Sequence, residues 1–200
     1  MTQLFLQNAC KEKGFSYFTK GDYNLNLIAI RDDISSDVNK FNDTLTVSYK
    51  ADGGWSVEEF PITTKPGLYW LKNFGLFGVT GTAILVPGQY KRAFKLGFGT
   101  FGNETYQCLV QAGNLKIYRD GDLDNTFDYN ENTVIEGSNY QICVHRGQPF
   151  GDSQQVGAWS AGCQVFRYAK DFERFMQLIN LSAQNFGDVF YYTLFNKSEL

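Results

Sequence analysis

Histidine is almost missing from this chain: His145 is the only one among 200 residues, beside four cysteines, four prolines and two methionines. Neither sign of charge dominates, with 18 Lys+Arg against 21 Asp+Glu. That balance offers no basic surface for nucleic acid and no polybasic run for a membrane face. No apolar window reaches the roughly 20 residues that span a bilayer, so membrane insertion is not expected. Residues 1–10 lack a basic n-region, a long apolar core and a cleavage site, and do not read as a signal peptide. The expectation is synthesis in the cytoplasm. Cys10, Cys108, Cys143 and Cys163 are scattered, with no Cys-x-x-Cys, and read as free thiols rather than a disulfide framework. With one imidazole, zinc would need Cys143, His145, Cys163 and a fourth ligand. No cofactor is expected.

Aromatic residues and glycine are plentiful, with 18 Phe, 12 Tyr and 20 Gly. The length suits one domain, 1–200, with a sizeable core and residues 1–20 as an arm packed on the body. Helical character over 2–13 stops at Gly14. Alternating or apolar runs predict strands over 25–30, 44–49, 55–62 and 188–195, with a turn at 51–54. Residues 106–111 and 115–118 read as a hairpin around 112–114. Pro66 marks a change of direction before the apolar run 68–71. The glycines and phenylalanines of 73–103, Phe74–Gly78 among them, suggest bulges, tight turns or the walls of a groove. Gly97–Gly102 resembles a nucleotide-binding glycine pattern but has no strand-to-helix context. Phe172, Phe175, Met176 and Ile179 recur at helical spacing and mark one amphipathic helix. The fold class is α+β and β-rich, with one amphipathic helix and a short N-terminal helical arm.

Asp120, Asp122, Asp124, Asp128 and Glu131 fall at positions one, three, five, nine and twelve of a calcium-loop pattern. Position six is Asn125 rather than glycine, and the flanks read as strands. A solvated acidic loop is the simpler account, with bound calcium the alternative.

The chemistry-bearing stretch is 140–166. Residues 141–145 alternate, placing Gln141, Cys143 and His145 on one face and Ile142 and Val144 on the other. A glycine-rich loop and the apolar Trp159 lead to Ser160-Ala161-Gly162-Cys163-Gln164. A thiol attacks as thiolate, and an imidazole can take its proton. Small neighbours let backbone N–H groups of Gly162 and Cys163 approach an oxyanion. A buried structural histidine and a buried structural cysteine are the alternative.

A histidine closing a strand, a glycine-rich loop and Ser160-x-Gly162-Cys163 resemble the YkuD-type L,D-transpeptidase catalytic domain. Residues 60–69 are similar to that family's Thr-Pro-x-Gly-x-Phe turn. The SAGCQ form is similar to a variant in phage and prophage proteins of gut bacteria. Arg146 stands where the family has glycine, and Gln164-Val165 replaces its aliphatic-Arg pair.

The resemblance implies a barrel or sandwich of L,D-transpeptidase type and a transferase or hydrolase acting on peptidoglycan stem peptides. Cys163 would be the nucleophile and His145 the base. Ser160 would orient the histidine or line the oxyanion site. Arg146, Trp159, Gln164 and Arg167 are candidate substrate contacts. Murein would be reached through a virion, by lysis or by another secretion route. The rival reading is a non-catalytic phage structural or cell-wall-binding protein on the same fold.

Overall fold

Asp52 and Gly53 both take positive φ, 51° and 78°, the pair of left-handed residues that a two-residue hairpin turn requires. They join the first long ladder of the molecule. In the computed structural model, which describes residues 1–77 and 80–200 and the side chains of all these but 76 and 77, this ladder belongs to a closed barrel. Gly78, the end of the run expected to wall a groove, lies outside the described residues.

Helix α1 (Gln3–Glu12) is capped by Thr2 Oγ1, which accepts from the Phe5 N–H. It buries Leu6 and Cys10 against Ile28, Ile30 and Phe195. Gly14, at φ +70°, lets the chain leave the helix. The aromatic arm then docks: Phe15 meets Phe195 and Phe18 meets Tyr191, with ring centroids 5.7 and 5.1 Å apart.

Strands β1 (Asn26–Arg31), β2 (Asp43–Ala51) and β3 (Gly54–Thr63) follow. The apolar run after Gly67 is a short helix, α2 (Leu68–Asn73). Next come β4 (Thr82–Leu85), β5 (Gly88–Phe101), β6 (Glu104–Gln111), β7 (Leu115–Asp120), β8 (Ile135–Gly137), β9 (Cys143–Arg146) and β10 (Gln164–Phe166). Helix α3 (Ala169–Phe186) and strand β11 (Val189–Asn196) complete the set.

Eight strands close in the order β1-β11-β5-β6-β9-β10-β3-β2, and β4-β7-β8 form a small second sheet. Among the described residues the fold is therefore β-rich, with three α-helices, a barrel and a side sheet. Most neighbours are antiparallel, but β1–β11 and β9–β10 run parallel. The helical stripe is core: Phe172, Phe175, Met176 and Ile179 are buried with Phe60, Phe166 and Tyr192.

The expected hairpin over 106–118 does not form. β6 pairs with β5 and β9, whereas β7 pairs with β4 and β8. The N–H groups of Ala112 and Gly113 both donate to Ala93 O, at 2.8 and 3.1 Å. A Cβ on Gly113 would stand 2.7 Å from Arg92 O. This tight turn throws the chain off the barrel into the second sheet.

Two buried features fix the frame around 157–163. Asp43 accepts from the N–H groups of Asp32 and Thr64 and from Thr64 Oγ1, with Lys65 Nζ at 3.3 Å. Beyond that anchor, the Gly67 N–H donates to Ser160 O at 2.8 Å. A Cβ on Gly67 would overlap the Gly157 carbonyl, so only glycine lets α2 lie this close.

Candidate active site

Strands β9 and β10 run side by side, pairing Gln164 with Val144 and Val165 with His145. One step back along that register, Cys163 lies beside Cys143. The Cys143 N–H points at Cys163 Sγ, 3.4 Å away. The alternation of residues 142–145 sends Ile142 and Val144 into the core and leaves Cys143 and His145 on the other face.

His145 is fully buried and stacks on Phe101, with ring centroids 3.8 Å apart and planes 19° from parallel. Its Nδ1 lies 2.6 Å from Arg146 O. A carbonyl only accepts, so Nδ1 carries a hydrogen, and in the neutral ring Nε2 is the basic nitrogen. Tyr106 Oη donates to the same carbonyl at 3.3 Å and steadies it. Nε2 is buried and makes no hydrogen bond of ordinary geometry. It is the nitrogen left for Cys163, and the nearby imidazole acts to lower that thiol's pKa.

That pull is outweighed. The hydrogen bond with Cys143 comes first and burial second, and together they push the Cys163 thiol upward. Cys143 is pushed up to about 12, first by its contact with Cys108. The resting nucleophile is thus a neutral thiol. Three sulfurs, from Cys108, Cys143 and Cys163, adjoin one another in sequence across β6, β9 and the turn before β10.

The half-buried Cys163 opens into a cavity of about 480 Å³, walled in part by Trp70, Phe74, Thr82, Arg119 and Tyr140. Among the described lining residues, Arg119 is the one that is charged. Its Nη1 donates to Gly81 O at 2.8 Å and its guanidinium lies 5.5 Å from the Tyr140 ring centre. Burial lowers its pKa. A second cavity of about 460 Å³ reaches Cys143 and shares Asn139 and Gln141 with the first. Gln141, at φ +56°, lines both.

The other expected contacts fall elsewhere. Ser160 is buried, donates to Cys163 O at 2.8 Å and accepts from the Gly162 N–H at 3.1 Å. It braces the turn and makes no hydrogen bond to His145. The Gly162 N–H, one of the two expected oxyanion donors, is spent on Ser160. Gly162 has φ +146° and would press a Cβ to 2.7 Å from Ala83 O, which explains glycine there. Gln164 is fully buried, donating to Gly162 O and accepting from Tyr192 Oη, so it supports the turn instead of a substrate. The Arg146 guanidinium pairs with Glu104 at 2.8 Å and covers Tyr106; only its carbonyl serves His145. Arg167 forms a two-pronged pair with Asp152 at 2.8 and 3.1 Å. Neither arginine lines the Cys163 cavity. Trp159 lines a separate cavity of about 230 Å³ with Phe101 and Tyr106.

Of the five acids in the calcium-loop pattern, the fold gathers Asp120, Asp122 and Asp128. Asp124 turns back onto Thr126, and Glu131 accepts from Tyr118 Oη. The loop follows a strand and precedes a 3₁₀ turn, without the flanking helices of the calcium motif. Among the described residues that acidic trio is the one compact set of metal-ligand types; Cys143, His145 and Cys163 do not form another.

Arg119, Tyr106, Phe101 and Cys108 were not expected at the site. No local motif announces them, because strand register and the exchange between sheets deliver them. A scan against protein-family models, a search of curated proteins and a search of solved structures each find no match to the chain.

Proposed function

We propose that this chain is a cysteine acyl-transferase or peptidase of L,D-transpeptidase type, acting on peptidoglycan stem peptides. The observation that carries the reading is the fixed tautomer of His145. With Nδ1–H held by Arg146 O, a buried and otherwise unpartnered Nε2 serves the thiol of Cys163. Support for the family type is coarser: a β-rich barrel and a Ser160-x-Gly162-Cys163 turn after a strand that ends near the sole histidine.

In this reading a stem peptide enters the 480 Å³ cavity and its free carboxylate pairs with Arg119. The scissile carbonyl sits against Cys163. Attack and proton transfer occur together: sulfur bonds to the carbonyl carbon as the thiol proton moves to Nε2. The Cys163 N–H stabilises the oxyanion. The imidazolium then protonates the departing amine, leaving a thioester on Cys163. An amine acceptor completes cross-linking, and water completes hydrolysis; in either case Nε2 takes the acceptor's proton.

A second reading is favoured by the upward push on the Cys163 thiol. It is a murein-binding protein, phage-derived, that keeps the groove without turnover. Both are tested by incubating defined murein fragments with the wild type and a Cys163→Ala variant, followed by mass spectrometry. The enzyme reading expects new cross-linked or trimmed products that vanish in the variant. Unchanged fragments with the wild type, together with retained murein co-sedimentation, favour the binding protein.

A further inference from the structure

We propose that Cys143 is a resolving thiol for Cys163, so that a hydroperoxide converts the pair into a reversible disulfide that caps the nucleophile. The backbone already stands at the required separation. Adjacent strands are about 4.8 Å apart, inside the roughly 4.4–6.8 Å that disulfides span between Cα atoms. The β9–β10 register sets Cys163 opposite Cys143. Both sulfurs face the same acceptor, Gln141 O, at 3.5 Å from Cys143 and 3.9 Å from Cys163. They therefore lie on one side of the sheet, and the Cys143 N–H touches the partner sulfur.

Access favours this pair over the alternative. Cys163 borders one cavity and Cys143 the other, so small oxidants and reductants reach both. Cys108, the third sulfur, is fully buried and sealed behind Gly99, where a Cβ would stand 3.0 Å from its Sγ.

The steps balance with hydrogen peroxide as oxidant. The Cys163 sulfur attacks one peroxide oxygen while its proton passes to His145 Nε2. The O–O bond breaks, and the leaving hydroxide takes that proton as water. Cys163 is now a sulfenic acid. The Cys143 sulfur attacks it, the S–O bond breaks, and a second water departs with the Cys143 proton. Two thiols are oxidised and one peroxide is reduced to two waters. An external dithiol reverses the bond by exchange.

The inference rests on thiol placement and holds whether or not the chain acts on murein, so its test reads thiols rather than turnover. Reduced full-length protein is treated with hydrogen peroxide, alkylated with iodoacetamide and digested with trypsin. Cleavage after Arg119, Arg146 and Arg167 places Cys143 in 120–146 and Cys163 in 147–167, while Cys108 falls in 96–116. The expected result is 120–146 joined to 147–167, with loss of two alkylatable thiols and their return after dithiothreitol. Cys108→Ser keeps the cross-link. Cys143→Ser abolishes it and leaves a Cys163 sulfenic acid that dimedone traps. The inference is overturned if wild type joins 96–116 to 120–146 instead. It is equally overturned if wild-type Cys163 passes to the sulfinic acid while Cys143 remains alkylatable. Because these decisive readings use the wild type, poor folding of a variant does not obscure them.

Discussion

Nδ1 of His145 and the carbonyl oxygen of the next residue, Arg146, are held 2.6 Å apart, with Tyr106 Oη bonded to that same oxygen. The contact decides which imidazole nitrogen is basic. His145→Gln retains a polar side chain but has no comparable base, and turnover of murein fragments should fall about 10²–10⁴-fold. Steady-state rates with circular dichroism as a folding control check this. A loss below about threefold would remove His145 from the proton path.

Arg119 is the charge facing the cavity, and a hydrogen-bonded charge is worth about 1.5–3 kcal/mol. Arg119→Gln should raise KM for donors with a free carboxylate about 10–100-fold, with a smaller change in kcat. Donors whose carboxylate is amidated should bind both forms alike. Arg146→Gln and Arg167→Gln, whose partners are Glu104 and Asp152, should leave KM nearly unchanged.

The Cys143 hydrogen bond is the largest influence raising the Cys163 thiol. Cys143→Ala removes it, so the Cys163 pKa should drop and more thiolate should be present at pH 8. Each unit of decrease speeds alkylation about tenfold while the thiol is mostly protonated. Removing the imidazole by His145→Ala should act in the opposite direction. Peptide-resolved iodoacetamide kinetics against pH would show both shifts.

Asp120 is pushed up to about 6, first by burial and then by the charges of Asp128, Asp122 and Asp124, against a hydrogen bond from the Asp128 N–H. The folded state therefore holds a proton that the unfolded chain releases near pH 4. Stability from this group is complete below that pH and is lost as pH rises through about 6. Asp120→Asn should flatten the decline and add on the order of 2 kcal/mol at neutral pH. Chemical denaturation at pH 4, 6 and 8 tests the sign.

Asp43 is buried among three hydrogen bonds and the ammonium of Lys65. Asp43→Ala would strand that ammonium, at a cost of about 3–5 kcal/mol. Asp43→Ala paired with Lys65→Met should recover part of the loss. Urea midpoints of the single and double variants provide the comparison.

Features that depend on local periodicity were readable from the residues. The stripe Phe172-Phe175-Met176-Ile179 is buried as expected, and the β2–β3 turn sits where 51–54 predicted it. Cys143 and His145 do share a face of β9. What escaped was set by distant partners. Residues 106–111 and 115–118 alternate like two arms of a hairpin, yet alternation cannot name the neighbour a strand will choose. Ala112 and Gly113 spend their N–H groups on Ala93, and β7 leaves for the second sheet carrying Arg119 to the cavity. Arg146 and Arg167 looked available because Glu104 and Asp152 are far from suspicious in a linear string. Ser160 and Gln164 looked functional because they flank the cysteine; their partners show them bracing it.

The parallel seam of β1 with β11 has a kinetic consequence. Its two members are far apart in sequence, so ring closure must await translation of residues 189–196. Until then both rims are unpaired templates for sticking to other nascent chains. Assembly governed by such distant encounters is slow, and chaperone demand should be concentrated in that interval.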